Sequence, residues 1–411
     1  MSLTTTQSTS ASGRPTSSSD RQDGGGTLQP LTVSAADALA ANASGLERAG
    51  ELLDPAALSE LLGQQVRITH VRSKPDRSLL VAHTDSRGEA GWTMLTVDPV
   101  KYHNAQERAE GFGRRIQVHS TAGPHLFSGS VWSDPQLAKE LTEARAVLGE
   151  DVSWQILRYN PRRRVVATLR SGSSQKVVRV LASGADHLRQ TTRHWRGLGL
   201  PVSNVSALGQ RSTAVIAPMW GVSDLHSSPH PPAAVTAGAA VAALHAAPPR
   251  RSAANCAHPD PQRAAAGLGQ VAPWAQQRAT TLAERLAERL APLGSSTAAE
   301  IHGDLSPDQV VLAAHGSHKI RLIDLDRAGS GHPMRDVGSW VAACRRNEQT
   351  ELIDAFLTGY TEHAPAEPDD MHAWEAYAHL AGAADFFRHR ETDWPAHTVR
   401  ALDLTEEALN R

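Results

Sequence analysis

Cysteine is almost absent: Cys256 and Cys344 are the only two in 411 residues. Two isolated thiols build neither a disulfide framework nor a zinc site, and they fit a reducing cytoplasm. The histidines are scattered, with no HExxH and no paired His/Cys spacing, which argues against structural and hydrolytic zinc centres. A charge excess is also lacking, since the formal net charge is -2; a nucleic-acid partner would normally require a basic surplus. The balance is uneven, with acidic residues outnumbering basic ones from Arg345 to Arg411. No apolar run is long enough to span a bilayer, so no membrane partner is expected. The first residues, MSLTTTQSTSASGRPTSSSDRQDGGG, contain no apolar h-region, so no secretory signal is expected. A glycine-rich phosphate loop is missing as well; Ser171-Gly172-Ser173-Ser174 is a turn between strands and a weak substitute.

What is present divides by composition. Residues 1–30 are rich in Ser, Thr and Gly and are expected to form a disordered tail. Residues 31–150 open with Asp54–Gly63, a short helix that Asp54 can cap, Pro55 can start and Gly63 can end. Strand candidates follow at Val66–Val71, Ser78–His83 and Trp92–Val97. A second strand-rich set spans residues 151–220, with candidates at Trp154–Tyr159, Val165–Leu169 and Lys176–Leu181. VRSKPDRSLLVAHT (Val71–Thr84) and LRYNPRRRVVATLR (Leu157–Arg170) share one order: strand, turn with proline, arginine, apolar strand. That order fits an internal duplication, or merely the common look of hairpins. Residues 221–411 turn helical, with Ala233–Ala247, an amphipathic Trp274–Leu290, and closing helices near Asp336–Arg346, Glu351–Glu362, Met371–Arg388 and Ala396–Asn410. A compact hairpin, Val310–Ala313 with Lys319–Asp324, interrupts them, while His226–Pro232 and Pro248–Gln262 are expected loops. Strands followed by helices with one internal hairpin predict an α+β molecule of two lobes.

The segment Ile301-His302-Gly303-Asp304-Leu305-Ser306-Pro307-Asp308-Gln309-Val310 carries the chemistry, with Leu322-Ile323-Asp324-Leu325-Asp326 following it. A hairpin joining the two brings Gln309 and Asp324 side by side near its open end. An amide oxygen and a carboxylate are thereby within reach of one Mg²⁺, which takes one or two protein oxygens and completes its shell with phosphate and water. Asp304, in the loop before them, can accept a proton from a substrate hydroxyl. A base, a metal amide and a metal carboxylate are a minimal set for phosphoryl transfer. Each fragment also has a plainer reading: Asp and Gln form turns, and Asp326 is either a further ligand or a solvated carboxylate. His302 reads as a strut of the loop, and Asp336 as the cap of a helix beginning near Val337.

His302-Gly303-Asp304-x4-Gln309 with Ile323-Asp324-x-Asp326 resembles the active-site pair of the aminoglycoside phosphotransferase and choline kinase superfamily. The likeness extends to Leu244-His245, Phe356-Leu-Thr-Gly-Tyr360 and Asp336-Val-Gly, and covers roughly Val152 to the C-terminus. It implies a protein-kinase-like two-lobe α+β fold, with a strand-rich N-lobe at 151–220 and a helical C-lobe at 221–411 holding the catalytic loop and metal hairpin. It implies Asp304 as catalytic base, Gln309 and Asp324 as Mg²⁺ ligands, and ATP or GTP as phosphate donor. Thr213–Met219, including Ala217 and Met219, is then the strand and hinge that receive the nucleotide base. Most members carry Asn where this chain has Gln309; Gln occurs in the maltokinase branch, whose extra N-terminal cap domain is similar in placement to Leu31–Gly149. Arg179 stands where the family carries its phosphate-binding lysine, and strand alternation turns Lys176 to the opposite face. The following helix, Asp186–Leu198, offers no glutamate to pair with that position. These departures fit an alternative, a catalytically impaired kinase-like module that binds nucleotide or metabolite.

The expected acceptor is a hydroxyl of a small molecule: a sugar, an aminoglycoside or a related metabolite. The acidic C-terminal helices either attract a cationic acceptor or form a solvated face. Trp374, Tyr377, Phe386 and Trp394 either stack on a sugar or belong to the core.

Overall fold

The computed structural model describes residues 28–149, 151–172, 174–210, 212–250, 258–295 and 298–411. Most of the expected tail, Cys256, Ser173 and residues 251–257 of the expected loop lie outside them. Three helices come first: α1 (Val33–Ala43), α2 (Ala49–Leu53) and α3 (Pro55–Leu62). In α3 the Asp54 carboxylate accepts the Ala56 amide, Pro55 occupies the first turn and Gly63 ends it in the left-handed region, as the sequence predicts.

A five-stranded antiparallel sheet follows in the order β1-β2-β3-β5-β4. Its strands are β1 (Val66–Lys74), β2 (Ser78–Asp85), β3 (Ala90–Thr96), β4 (Gln117–Ser120) and β5 (His125–Ser130), with α4 (Pro99–Gly111) between β3 and β4. After α5 (Ala138–Leu148) the pattern recurs. The strands β6 (Ser153–Asn160), β7 (Arg164–Ser171), β8 (Ser174–Leu181), β9 (Ser206–Ala207) and β10 (Ala214–Pro218) order as β6-β7-β8-β10-β9, and α6 (Asp186–Gly197) lies between β8 and β9. The likeness reaches details. Both first strands carry a register shift, and both first hairpins turn on proline followed by a residue of positive φ, Asp76 at 57° and Arg162 at 62°. Proline at the second position and positive φ at the third make each a type II turn. The sequence hint of two alike hairpins thus extends to two sheets of one topology. Residues 97–149 contain α4, β4, β5 and α5, none of which the sequence reading resolved.

Strand alternation explains how the sheets stack. On β2, Leu79 and Val81 face a core shared with α1–α3 and the C-terminal helices, while Leu80 and Ala82 face the other way. That second face meets Val165, Ala167, Leu169, Val178 and Val180 of the second sheet. The first sheet is therefore buried on both sides. The second sheet leaves its far face, with Val166, Val177 and Arg179, for a cavity.

The C-terminal part comprises β11 (Ser223–Asp224), α7 (Pro231–Ala246), α8 (Pro261–Gly269), α9 (Gln276–Leu290), β12 (Ala299–Ile301), β13 (Val310–Leu312), β14 (Ile320–Leu322) and β15 (Gly329–Gly331). It closes with α10 (Met334–Arg346), α11 (Thr350–Thr361), α12 (Pro368–Gly382), α13 (Asp385–Arg388) and α14 (Trp394–Asn410). The single helix expected over Met371–Arg388 is in fact two, broken at Ala383–Ala384, where the chain turns to bring Asp385 and Arg388 to the cleft. Gly359 is required by packing: a Cβ there would stand 2.0 Å from the Val235 carbonyl oxygen, so α11 and α7 touch backbone to backbone. Among the described residues no helix is long and apolar enough to cross a membrane.

One buried ion pair ties the first helices to the last. Arg390 donates to both Asp37 oxygens, at 2.7 and 2.6 Å, and the Trp394 indole donates to the same carboxylate at 3.1 Å. Asp37→Ala strands the Arg390 cation, whose side chain is 8 % exposed. The expected loss is about 3 kcal/mol in chemical denaturation.

Candidate active site

The loop from His302 to Gln309 is shaped by a carboxylate beneath it. Asp336, fully buried in α10, accepts the amides of His302 and Gly303 at 2.6 and 2.7 Å. Gly303 has φ +83°, and a Cβ there would stand 2.3 Å from the Arg327 carbonyl oxygen, so glycine is needed both for conformation and for space. This corrects the reading of Asp336 as a helix cap: it lies inside the first turn of α10 and serves the loop instead. His245, at the end of α7, bridges Asp336 at 3.1 Å and the Tyr360 hydroxyl at 2.8 Å. The three weaker motif fragments, Leu244-His245, Asp336-Val-Gly and Phe356–Tyr360, therefore meet in one network. His302 is buried and its Nε2 lies 2.9 Å from the Ile323 carbonyl oxygen, linking the loop to the strand that leads to Asp324.

The hairpin pairs Val310 with Leu322, and the Ile323 amide donates to the Gln309 carbonyl at 3.0 Å. Gln309 is 8 % exposed, and its Oε1 is buried without a hydrogen-bond partner among the described residues. Asp324 follows β14 in the left-handed region, at φ 63°. Aspartate tolerates this better than most residues, and the bend turns its carboxylate toward β7 and β8. There its Oδ1 accepts from Arg179 at 2.6 Å and from Arg164 at 3.2 Å. Asp326 Oδ2 accepts from the same two guanidiniums, from Arg179 at 2.9 Å. Burial opposes ionisation of Asp324, but Arg179 and Arg164 outweigh it and hold its carboxyl down at about 2. Lys176 is exposed and lies away from this cluster. On α6, Leu188 and Thr192 face the cavity, so the missing glutamate is not replaced from that helix; the partners of Arg179 are Asp324 and Asp326. Asp186 pairs with Arg189 on the surface.

Arg164 went unnoticed in the sequence. The signal was alternation: with Val165, Ala167 and Leu169 buried, Arg164 and Val166 share the other face, and Val166 is paired to Arg179.

Two cavities meet at this cluster. The smaller, about 540 Å³, lies under the second sheet and is lined by Val166, Val177, Ala217, Met219, Leu322 and Ile323, with Arg179 at one end. The Met219 amide donates to the Gln175 carbonyl at 3.0 Å, and the residue is 43 % exposed. The larger, about 1130 Å³, opens between β1, the β6–β7 hairpin and the C-terminal helices. Gln309, Asp324, Asp308 and Arg164 line both cavities, whereas Asp304 lines only the larger. Asp304 is enclosed on most sides, yet 45 % of its side-chain surface is open to the cavity. Burial pushes its carboxyl above the usual carboxylate range, against the pull of Arg327 at 3.0 Å. Trp374 and Trp394 are buried, and Tyr377 and Phe386 pack against the core, so none of these aromatics lines either cavity.

The chain belongs to the phosphotransferase enzyme family, whose profile matches residues 165–377. That stretch takes in β7, β8 and Arg179, the His302–Gln309 loop, Asp324 and Asp336. The second sheet over a helical lobe is the protein-kinase-like arrangement expected of the family. Among solved structures, an aminoglycoside-3'-phosphotransferase of type VIII is 19 % identical with a TM-score of 0.48, covering 60 % of this chain and 99 % of its own. An aminoglycoside phosphotransferase from Streptomyces rimosus is 18 % identical, with a TM-score of 0.46, covering 60 % of this chain and 98 % of its own. The amicoumacin kinase hAmiN, in complex with AMP-PNP, Ca²⁺ and Ami, is 11 % identical with a TM-score of 0.49, covering 66 % of this chain and 94 % of its own. No curated protein matches the chain.

The Asp336 network is the scaffold of the loop. Asp336→Ala orphans two buried amides and the His245 partner, and is expected to cost about 3 kcal/mol or more. Hydrogen exchange should accelerate at His302 and Gly303 in particular. Unchanged exchange at those amides would show that the loop is held by other contacts.

Proposed function

We propose that this protein is a small-molecule kinase that moves the γ-phosphoryl group of a nucleoside triphosphate to a hydroxyl of the acceptor. The observation that carries the reading is the junction of the two cavities. An apolar pocket suited to a nucleotide base and a polar one suited to an acceptor meet where Gln309 and Asp324 stand, with Asp304 on the acceptor side alone. The domain assignment follows: residues 31–150 as an extra N-terminal domain, 151–220 as the N-lobe and 221–411 as the C-lobe.

Asp304 is the base. The acceptor oxygen forms its bond to phosphorus as the bond to the nucleoside diphosphate breaks, and the hydroxyl proton passes to the Asp304 carboxylate. Burial raises the basicity of that carboxylate, and Arg327 orients it. Mg²⁺ fits beside Gln309 and Asp324: both offer oxygen, and among the described residues the buried Gln309 Oε1 has no hydrogen-bond partner and Asp324 Oδ2 has an ion partner only in Arg158, at 4.0 Å. When bound, the cation would neutralise charge on the phosphoryl oxygens. Arg179 and Arg164 supply the fixed positive charge that a lysine supplies elsewhere. Ala217 and Met219 border the nucleotide base, and ATP or GTP is the donor. The solved relative complexed with AMP-PNP and Ca²⁺ accords with a nucleotide donor and a divalent cation.

One observation favours a second reading. Arg179 and Arg164 already occupy Asp324 and Asp326. If they keep those partners when nucleotide arrives, the protein binds nucleotide without transferring phosphate. Measurable nucleotide binding with no consumption in the presence of Mg²⁺ and a broad panel of alcohols would select that reading.

Asp304→Asn is expected to lower acceptor-dependent nucleotide consumption about 100-fold or more while the thermal midpoint holds; full turnover in that variant would remove Asp304 from the base role. The pH profile provides a second check. Asp304 must be ionised to act, and its folded pKa is raised, so the acid limb should lie above that of an ordinary aspartate. Arg327→Gln should move the limb further upward, because a neighbouring cation is lost. Gln309→Ala is expected to raise the Mg²⁺ concentration needed for half-maximal rate about tenfold or more, read by metal titration at saturating nucleotide.

A further inference from the structure

The larger cavity is lined asymmetrically. Nine guanidinium and ammonium groups face six carboxylates around it. On the C-lobe side the charges are largely matched: Asp304 pairs with Arg327, Asp324 with Arg164 and Arg179, and Asp385 with Arg388. On the opposite wall, Arg67, Arg72 and Lys74 of β1 and Arg163 after the β6–β7 turn form no ion pair with any carboxylate among the described residues. These cations crowd one another. Burial first, and then Arg163 and Arg162, push the Arg72 guanidinium down from its ordinary value; Lys74 is lowered by burial and then by Arg72 and other cations. The wall is continuous with the candidate base. Asp385, Asp304 and His70 line the one cavity, and His70 on β1 packs against His389 with ring centroids 5.4 Å apart.

A solvated basic face is the ordinary fate of such residues, and on a convex surface it would suffice. Here Arg72 is half-buried in the lining of the same cavity that Asp304 lines from the C-lobe side. Low-dielectric walls strengthen the mutual repulsion and equally the attraction for an anion. An acceptor of high positive charge would meet this wall with repulsion.

We infer that the acceptor is an anionic polyol, bearing a phosphate or carboxylate that Arg72, Arg163 and Lys74 hold while its hydroxyl faces Asp304. This rests on the phosphotransferase reading above. The transfer balances as before: the γ-phosphoryl group of the nucleoside triphosphate joins the polyol oxygen, the hydroxyl proton goes to Asp304, and the nucleoside diphosphate leaves. The guanidinium fork suits either anion by paired N–H donation.

The experiment uses the full chain and matched sets of acceptors: a hexose, its hexosamine, its hexose phosphate and its hexuronic acid. Nucleotide consumption is followed with Mg²⁺ and ATP. The expected result is turnover with the phosphate or the uronic acid, slower or none with the hexose, and least with the amine. Turnover with the neutral or cationic members and none with the anionic ones overturns the inference and leaves the kinase reading standing. No turnover with any member removes the kinase reading and, with it, the acceptor assignment.

Calorimetry then decides whether the wall selects anions at all, with the nucleotide pocket filled by a non-hydrolysable triphosphate and Mg²⁺. The hexose phosphate and hexuronic acid should bind more tightly than the hexose, and added salt should weaken them. The double variant Arg72→Gln/Arg163→Gln should raise their dissociation constants about tenfold or more while the thermal midpoint stays put. Equal affinity in that variant, or no preference for the anions, overturns the assignment of this wall.

Discussion

Two arginines from the second sheet grip two aspartates of the C-terminal part, and this four-residue cluster makes one site out of two lobes. Arg164 starts β7 and Arg179 lies on β8, while Asp324 and Asp326 flank the bend after β14. All four side chains are between 15 and 22 % exposed. In such a place, a unit pair at about 4 Å is worth about 4 kcal/mol at an effective dielectric near 20, against about 1 kcal/mol in water. Desolvation takes back much of that gain, so the cluster fixes geometry more than it adds stability. It sets the cleft width and keeps Asp324 ionised. It also stabilises a left-handed aspartate whose conformation would otherwise cost about 1–2 kcal/mol.

The same aspartate depends on a second support. His302 reaches from the loop to the Ile323 carbonyl, and the loop hangs on Asp336. A buried carboxylate that accepts two amides and faces a histidine leaves the loop little freedom. The carboxylate of Asp304 is therefore presented by its neighbours rather than by its own contacts, since its ion partner among the described residues, Arg327, is largely exposed. Rigidity lies beneath the site and openness at the site, which suits a group that must meet a changing partner.

How much of this was legible follows from the range of each signal. The two-lobe α+β arrangement, the hairpin at Val310–Leu322 and the proximity of Gln309 to Asp324 depend on local periodicity and a short connection, and both can be read along the chain. Asp54 and Gly63 bounded α3 for the same reason: caps are local chemistry. The role of Asp336 was misread because it looks like a first-turn carboxylate, which it is by position; its partners lie 33 and 34 residues away. Arg164 was missed although strand alternation pointed to it, since its carboxylates come from a segment 160 and 162 residues distant. Residues 97–149 stayed blank because β4 is largely exposed and α4 is strongly polar, so neither shows a clean apolar period. The likeness of the two hairpins was visible, but only pairing order revealed that whole sheets correspond.

The two sheets have one topology and opposite circumstances, and this difference explains the shape of the site. A strand can present alternate residues to two faces. In the second sheet one face is core and the other is the roof of the smaller cavity, so Val166, Val177 and Arg179 meet open space. In the first sheet both faces are core over β2 and β3, because Leu80, at the position corresponding to Val166 of that roof, packs with Ala82 against the second sheet, while α1–α3 and the C-terminal helices cover the other side. The two edges, β1 and β4, remain for solvent to reach, and the burial pattern of β1 loosens from Ile68 onward, where the register shifts. A bulge at a sheet edge re-aims side chains. Here the edge supplies Arg67, Thr69, Arg72 and Lys74 to the wall of the larger cavity. Over β2 and β3 the first sheet is packed on both faces. It contributes to the site by closing, along one edge, the open side of a cleft that the second sheet and the C-terminal helices begin.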